Sequence, residues 1–179
     1  MTALEIFRRK SLAQTALPRG RLKPMKPQKS LRARALDILA RSETGRAALK
    51  RKLAPYAQSE EELEAVLNEM AERGWQSDER YAEAYIHSKS QKHGSLRLRR
   101  DLEQQGIDRD TVRALLPDAE QELAAAVAAV QKKFKAPPQD YAEKQKQMRF
   151  LAYRGFDGDT VRLALRQAWA DWRDEWDGE

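Results

Sequence analysis

The feature that most constrains the fold is an internal repeat with a period of 49 residues. The segment 106–113, GIDRDTVR, recurs as GFDGDTVR at 155–162, and the two copies differ at only two of eight positions. The leucine pair Leu49 and Leu53 also recurs 49 residues later. A period of this length is typical of stacked helical repeats, in which each unit buries part of its apolar face against a neighbour.

Each period has the pattern of three helices. In the central copy a helix begins at Asp78, a Gly-Ser break follows at Gly94, and a second helix carries Leu98 and Leu102. Gly106 ends that helix and a third one follows. No segment alternates between apolar and polar residues as a strand does. We therefore predict an all-α fold of three tandem three-helix repeats in an elongated, curved array.

The predicted boundaries divide the chain into three repeats with a segment on each side. The repeats span 31–77, 78–117 and 118–170. Residues 1–30 carry eight basic residues against Glu5 alone and contain three prolines, which predicts a basic, disordered arm. Residues 171–179 form an acidic tail with five acids and one arginine.

The arm has three interpretations. It is a contact for nucleic acid or a protein filament, or an upstream extension of a chain that starts natively at Met25, or an Arg-rich, acid-poor transit peptide. The extension would comprise residues 1–24.

Composition limits the possible functions. Lys and Arg total 34 against 28 Asp and Glu, which gives a net charge of +6 and favours an anionic partner. Cysteine is absent and there are two histidines, so disulfides and most zinc sites are excluded. No apolar run is long enough for a membrane helix, and we expect a cytoplasmic protein with no membrane contact. No nucleophile with a base and no phosphate-binding loop appears, so we expect no enzyme activity, cofactor or metal.

The middle helix of every predicted repeat is basic. The candidate binding residues are Arg46, Lys50, Arg51, Lys52, Lys92, Arg97, Arg99, Arg100, Lys144, Lys146 and Arg149. One such helix alone is best interpreted as a solvated face. Its recurrence in three repeats favours a basic track for a long polyanion or a repeating acidic surface. Because Asp101 and Glu103 are interleaved with these cations, part of the charge is expected to pair internally.

Three tryptophans recur at helical spacing near the end of the sequence, at Trp169, Trp172 and Trp176. Packing against a core or between repeats is the default interpretation of such a stripe. Base stacking is the alternative, and the neighbouring acids Asp171 and Asp174 argue against it because they repel phosphate.

The central repeat resembles the RecX family of bacterial recombination regulators. The resemblance is carried by Gly74, Asp78, Tyr81, Ala82, Tyr85, Gly94, Leu102, Gly106 and Ile107. It covers residues 26 to about 169 and is most specific in the centre. Tyr81 stands where the family often has Phe. The resemblance implies that the glycines end helices or make turns, that Asp78 is a cap, and that Tyr81 and Tyr85 belong to the core.

The resemblance also implies a function. Members of the family bind the RecA recombinase–DNA filament along its groove and modulate its recombinase, ATPase and coprotease activities, usually by inhibition. The implied partners are the filament and, weakly, DNA, bound by a monomer with a role in homologous recombination, DNA repair and the SOS response. One alternative is a direct DNA-binding protein built from helix-turn-helix-like units. The third helices begin with Asp108 or Asp157, acidic where a DNA backbone would lie, which disfavours it. A scaffold without a nucleic-acid role is the remaining alternative.

Overall fold

The structure is a computed structural model that describes residues 29–170, and this part of the chain contains nine α-helices and no strand. The helices are α1 (Leu31–Leu39), α2 (Arg46–Leu53), α3 (Glu60–Glu72), α4 (Asp78–Lys89), α5 (Ser95–Gln104), α6 (Arg109–Leu115), α7 (Ala119–Lys133), α8 (Tyr141–Tyr153) and α9 (Gly158–Ala168). A short 3-10 turn, Ala54–Tyr56, follows α2. The predicted all-α fold is confirmed. Most of the basic arm and the whole acidic tail lie outside the described residues.

The helices fall into three groups, each with its own hydrophobic core. Helices α1–α3 enclose one cluster, α4–α6 a second and α7–α9 a third. Leu53, Leu102 and Leu151, which are separated by 49 residues, are all fully buried. Separate cores built from equivalent positions are what tandem repeats require, since each repeat folds around its own apolar residues.

The repeated octapeptide forms the connection between the second and third helices of a group. Gly106 and Gly155 end α5 and α8 with φ angles of 86° and 87°, a left-handed conformation that favours glycine. The apolar residue that follows each glycine is buried. Asp108 and Asp157 then cap α6 and α9, each accepting two backbone N–H bonds and one threonine hydroxyl bond.

These two caps predict a specific sensitivity to acid. The Thr111 hydroxyl lowers the pKa of Asp108, and the Thr160 backbone N–H lowers that of Asp157, both from the ordinary 3.8. A carboxylate with a lowered folded-state pKa stabilises the protein above its unfolded pKa and stops doing so as the pH falls through the folded-state value. The double variant Asp108→Asn/Asp157→Asn keeps both cap acceptors but cannot titrate. Its thermal midpoint should therefore fall less than the wild-type midpoint below about pH 4. Calorimetry at successive pH values measures both midpoints. An equal fall of the midpoint with pH in the variant and the wild type would contradict this prediction.

The first two middle helices are capped by the group that follows them. Their N-cap residues, Gly45 and Gly94, have no side chain to accept the free backbone N–H groups. A carboxylate of the next group accepts instead: Asp78 Oδ1 lies 2.7 Å from Arg46 N, and Glu122 Oε1 lies 2.8 Å from Ser95 N. The buried Glu122 also accepts the Ser95 hydroxyl at 2.6 Å. Consecutive groups are thus joined by equivalent hydrogen bonds.

The role of Asp78 differs from the simplest expectation. The N-cap of its own helix α4 is Ser77, whose hydroxyl accepts from Arg80 N at 3.2 Å. Asp78 is a cap, but it caps α2, which begins 32 residues earlier. In the third group, α8 is capped locally by Asp140, which accepts from Glu143 N at 2.7 Å.

Other residues of the family motif pack as the resemblance implies. Ala82 and Leu102 are fully buried, and Ile107 is nearly so. Tyr81 and Tyr85 are half-buried beside the second core, with ring centroids 6.3 Å apart. Gly74 ends α3 with a φ of 67°.

Candidate anion-binding face

The cations of α2 are largely engaged with α3. Arg46 Nη2 lies 2.8 Å from Glu64 Oε2. Lys50 Nζ lies 2.7 Å from Glu64 and 2.5 Å from Glu60, and the hydrogen bond that Lys50 donates to Glu60 raises the pKa of Lys50. Arg51 and Lys52 are exposed, and neither forms an ion pair with a described residue. The unpaired, outward positive charge of α2 therefore lies at these two positions.

The cations of α5 separate into two environments. Arg97 is half-buried, lies 3.7 Å from Asp101, and packs against Gly155 of the third group. Asp101 also accepts the Tyr85 hydroxyl at 2.9 Å, and burial together with this bond raises the pKa of Tyr85 to about 12. Arg99 and Arg100 are exposed. Part of the predicted track is thus structural, because Arg97 lies at a junction between groups.

The predicted cations of the third group are exposed to solvent. Lys144, Lys146 and Arg149 are exposed, and within residues 29–170 none of them forms an ion pair. Lys92, on the turn after α4, is exposed as well, and its backbone carbonyl accepts from Arg154 of the third group at 3.1 Å. The structure therefore places exposed positive charge on all three groups.

Three exposed arginines share one position of the repeat. Arg51, Arg100 and Arg149 are separated by 49 residues each, and each precedes the buried leucine of its middle helix by two positions. No acid of the described chain lies within ion-pair distance of them; Arg51 donates to Gln105 Oε1 at 3.2 Å. We call them the register arginines. A cation at the same position of all three 49-residue periods is the sequence signal that distinguishes them from the other cations.

Each register arginine has guanidinium N–H groups that can donate to an anion. A guanidinium donates two parallel hydrogen bonds to a phosphate or carboxylate. Since the three residues occupy equivalent positions on consecutive repeats, they present the same donor at each step of the array. The arrangement suits a partner that repeats its own negative charge. In the described chain no cluster of His, Asp and Glu could hold a metal ion.

The first turns of α6 and α9 argue against base reading in a DNA groove. Helices α6 and α9 would serve as recognition helices, yet their first turns carry Asp110 and Asp159. Carboxylates at that place oppose the phosphate backbone.

Across residues 29–170, none of the helices is apolar over a length that would cross a membrane.

Comparison with known proteins agrees with the repeat architecture. Residues 77–116 match the family model described as "RecX, second three-helix domain", and residues 120–165 match "RecX, third three-helix domain". A crystal structure of RecX from Lactobacillus salivarius has a TM-score of 0.69 at 18% identity, over 77% of this chain and 94% of that one.

Two relatives share a much higher amino-acid identity with this chain than that structure does. A protein of Neisseria meningitidis serogroup B named Regulatory protein RecX is 68% identical over 152 residues, which cover 84% of this chain and 99% of the relative. One with the same name from Chromobacterium violaceum is 48% identical over 137 residues, covering 76% and 90% of the two chains.

The fold places this chain in a class of proteins built as tandem arrays of three-helix repeats. Its amino-acid identity with proteins named Regulatory protein RecX extends over most of both chains and therefore identifies the family. The chain belongs to the RecX family, and the resemblance seen in its central motif is confirmed.

Proposed function

We propose that this protein binds the RecA–DNA filament along its groove and inhibits the recombinase, ATPase and coprotease activities of RecA. Membership of a family of regulatory proteins supports the regulatory part of the proposal. The recurrence of Arg51, Arg100 and Arg149 at one position of three repeats supports the mode of binding. A helical filament repeats its protein surface and its phosphates, so an array with a repeating cation can contact successive units.

In this proposal the protein acts by occupying space. An array of rigidly joined repeats in the groove excludes a second DNA and restrains the motions of the filament that accompany ATP turnover. The carboxylate caps from Asp78 and Glu122 keep consecutive groups in a fixed relation, which preserves the spacing of the register arginines. The protein contributes binding energy and no reaction of its own.

The test reverses the three register arginines. In the triple variant Arg51→Glu/Arg100→Glu/Arg149→Glu, three exposed ion pairs are lost, each worth about 0.5 kcal/mol. We therefore expect the affinity for RecA–DNA filaments to fall by about tenfold. The measurement is filament binding over a salt series, with inhibition of RecA ATPase in parallel. Each lost phosphate contact should flatten the log–log salt dependence by about 0.7–0.9.

A matched control separates position from net charge. Arg41, Lys89 and Lys132 are exposed cations, one in each group, that lie off the middle helices and form no ion pair within the described chain. The variant Arg41→Glu/Lys89→Glu/Lys132→Glu has the same net charge as the test variant and should bind filaments within about twofold of wild type. An equal loss of filament affinity in both variants would show that the register arginines are not the binding site. An equal loss on naked DNA and on filaments would favour the direct DNA-binding alternative.

A further inference from the structure

The third group contains a groove lined by positive charge. It lies between α8 and α9 and has a volume of about 770 Å³. Its charged lining residues are Lys144, Arg162 and Arg166, and it contains no Asp or Glu. Arg162 is paired with Asp159, whereas Lys144 and Arg166 have no ion-pair partner among the described residues. The groove is therefore suited to an acidic occupant.

The same groove has an apolar part. Tyr141, Met148 and Trp169 line it, and Tyr141 is 76% exposed, so its ring is accessible to an occupant. Trp169 is nearly buried and donates its indole N–H to Gln147 Oε1 at 3.0 Å. This confirms the packing interpretation for Trp169, while Trp172 and Trp176 lie outside the described residues. An occupant that combines aromatic and acidic side chains would satisfy both parts of the groove.

The sequence that directly follows α9 contains such a segment. Trp169 lines the groove and ends α9, and the acidic tail begins two residues later. The tail, DWRDEWDGE, combines five acids with two tryptophans four residues apart. Nine extended residues span about 30 Å, which is enough to cross a groove between two packed helices.

We propose that the acidic tail, residues 171–179, binds this groove and competes there with the anionic partner. Its carboxylates pair with Lys144 and Arg166, and its tryptophans pack on Tyr141 and Met148. The regulatory part of this inference rests on the proposed function, because Lys144 is one of the candidate binding residues. The tail then weakens binding at the third group and leaves Arg51 and Arg100 available, so that the array engages its partner from the first two groups.

Disulfide trapping tests the docking, and the absence of native cysteine makes it specific. The full-length variant Gln145→Cys/Gly178→Cys has one thiol in the groove and one in the tail. It should form an intramolecular disulfide several times faster than Leu163→Cys/Gly178→Cys, whose first thiol lies on α9 outside the groove. Adding Lys144→Glu/Arg166→Glu should remove the difference, while Lys132→Glu/Lys133→Glu should not. Equal rates in the two cysteine pairs, or disulfides formed only between two chains, would overturn the proposal.

Affinity for a labelled oligothymidylate tests the competition. The variant Asp174→Asn/Glu175→Gln/Asp177→Asn should bind about threefold tighter than wild type at low salt. The gain should vanish when Lys144→Glu/Arg166→Glu is also present. If the Gln145→Cys/Gly178→Cys pair is trapped faster but the neutralised tail gives no gain in affinity, the tail docks and only the regulatory part of the proposal is overturned. If the protein fails to bind RecA–DNA filaments, the proposed function fails while the trapping result still decides whether the tail docks.

Discussion

Replacing Gly94 by alanine should lower the free energy of unfolding by about 3 kcal/mol, because it forces two backbones apart. Gly94 N donates to Arg154 O at 3.0 Å, and Leu96 N donates to Gly155 O at 3.1 Å. A Cβ atom on Gly94 would lie closer than 3.0 Å to backbone atoms of Gly155 and Phe156. Neither backbone can rotate away as a side chain would. Both hydrogen bonds and the cap from Glu122 would be weakened together.

The comparison variant for Gly94→Ala is Gly158→Ala. Gly158 is also a glycine at the start of a helix, but only the mobile end of the Arg162 side chain lies near its Cβ position. Alanine there should leave stability unchanged or raise it by a few tenths of a kcal/mol. Urea denaturation followed by circular dichroism gives both values. A loss for Gly94→Ala no larger than that for Gly158→Ala would show that the second and third groups are not held together at this turn.

Local chemistry explains why much of the fold could be predicted from the sequence. The octapeptide at 106–113 and its copy at 155–162 encode a helix stop, a buried residue and a cap within a few positions. Each of these depends on neighbours in the chain, so propensity and spacing are sufficient. The buried leucines follow from the same periodicity, since a helical face repeats every three to four residues.

Contacts between groups could not be predicted in this way. Asp78 caps a helix that begins 32 residues earlier, and Arg97 packs against Gly155 of the next group. The partners of Arg46 and Lys50 are likewise set by the packing of α2 on α3. Nothing local distinguishes these cations from Arg51 or Arg100. The sequence identified the basic helices, and the packing decided which of their charges face outward.

The candidate face also shows why charge alone is a weak guide to binding residues. Arg46 and Arg51 lie on one short helix, yet Arg46 is neutralised by Glu64 while Arg51 is not paired with any acid of the described chain. A binding role is better indicated by an exposed cation that recurs at an equivalent position. The stability of a single repeat does not explain this recurrence, because an exposed arginine contributes little to the free energy of unfolding.

Truncating Leu102 to alanine should cost about 2–5 kcal/mol, the usual range for a buried leucine in a packed core. Leu102 is fully buried in the second core, where it packs with Ala82, Ile86, Ile107 and Val112. A small group of three helices has few other apolar residues that could fill the cavity. The second group also lies between the other two, so its loss should uncouple the first group from the third.

The control for Leu102→Ala lies on the same helix. Leu96 is 47% exposed, and Leu96→Ala should change the free energy of unfolding by no more than about 0.5 kcal/mol. Chemical denaturation measures both variants, and hydrogen exchange shows where protection is lost. Because the three cores are separate, exchange should accelerate most in α4–α6 and less in α1–α3. A loss below about 0.5 kcal/mol for Leu102→Ala, or a uniform loss of protection across all helices, would contradict the division into repeats with cores of their own.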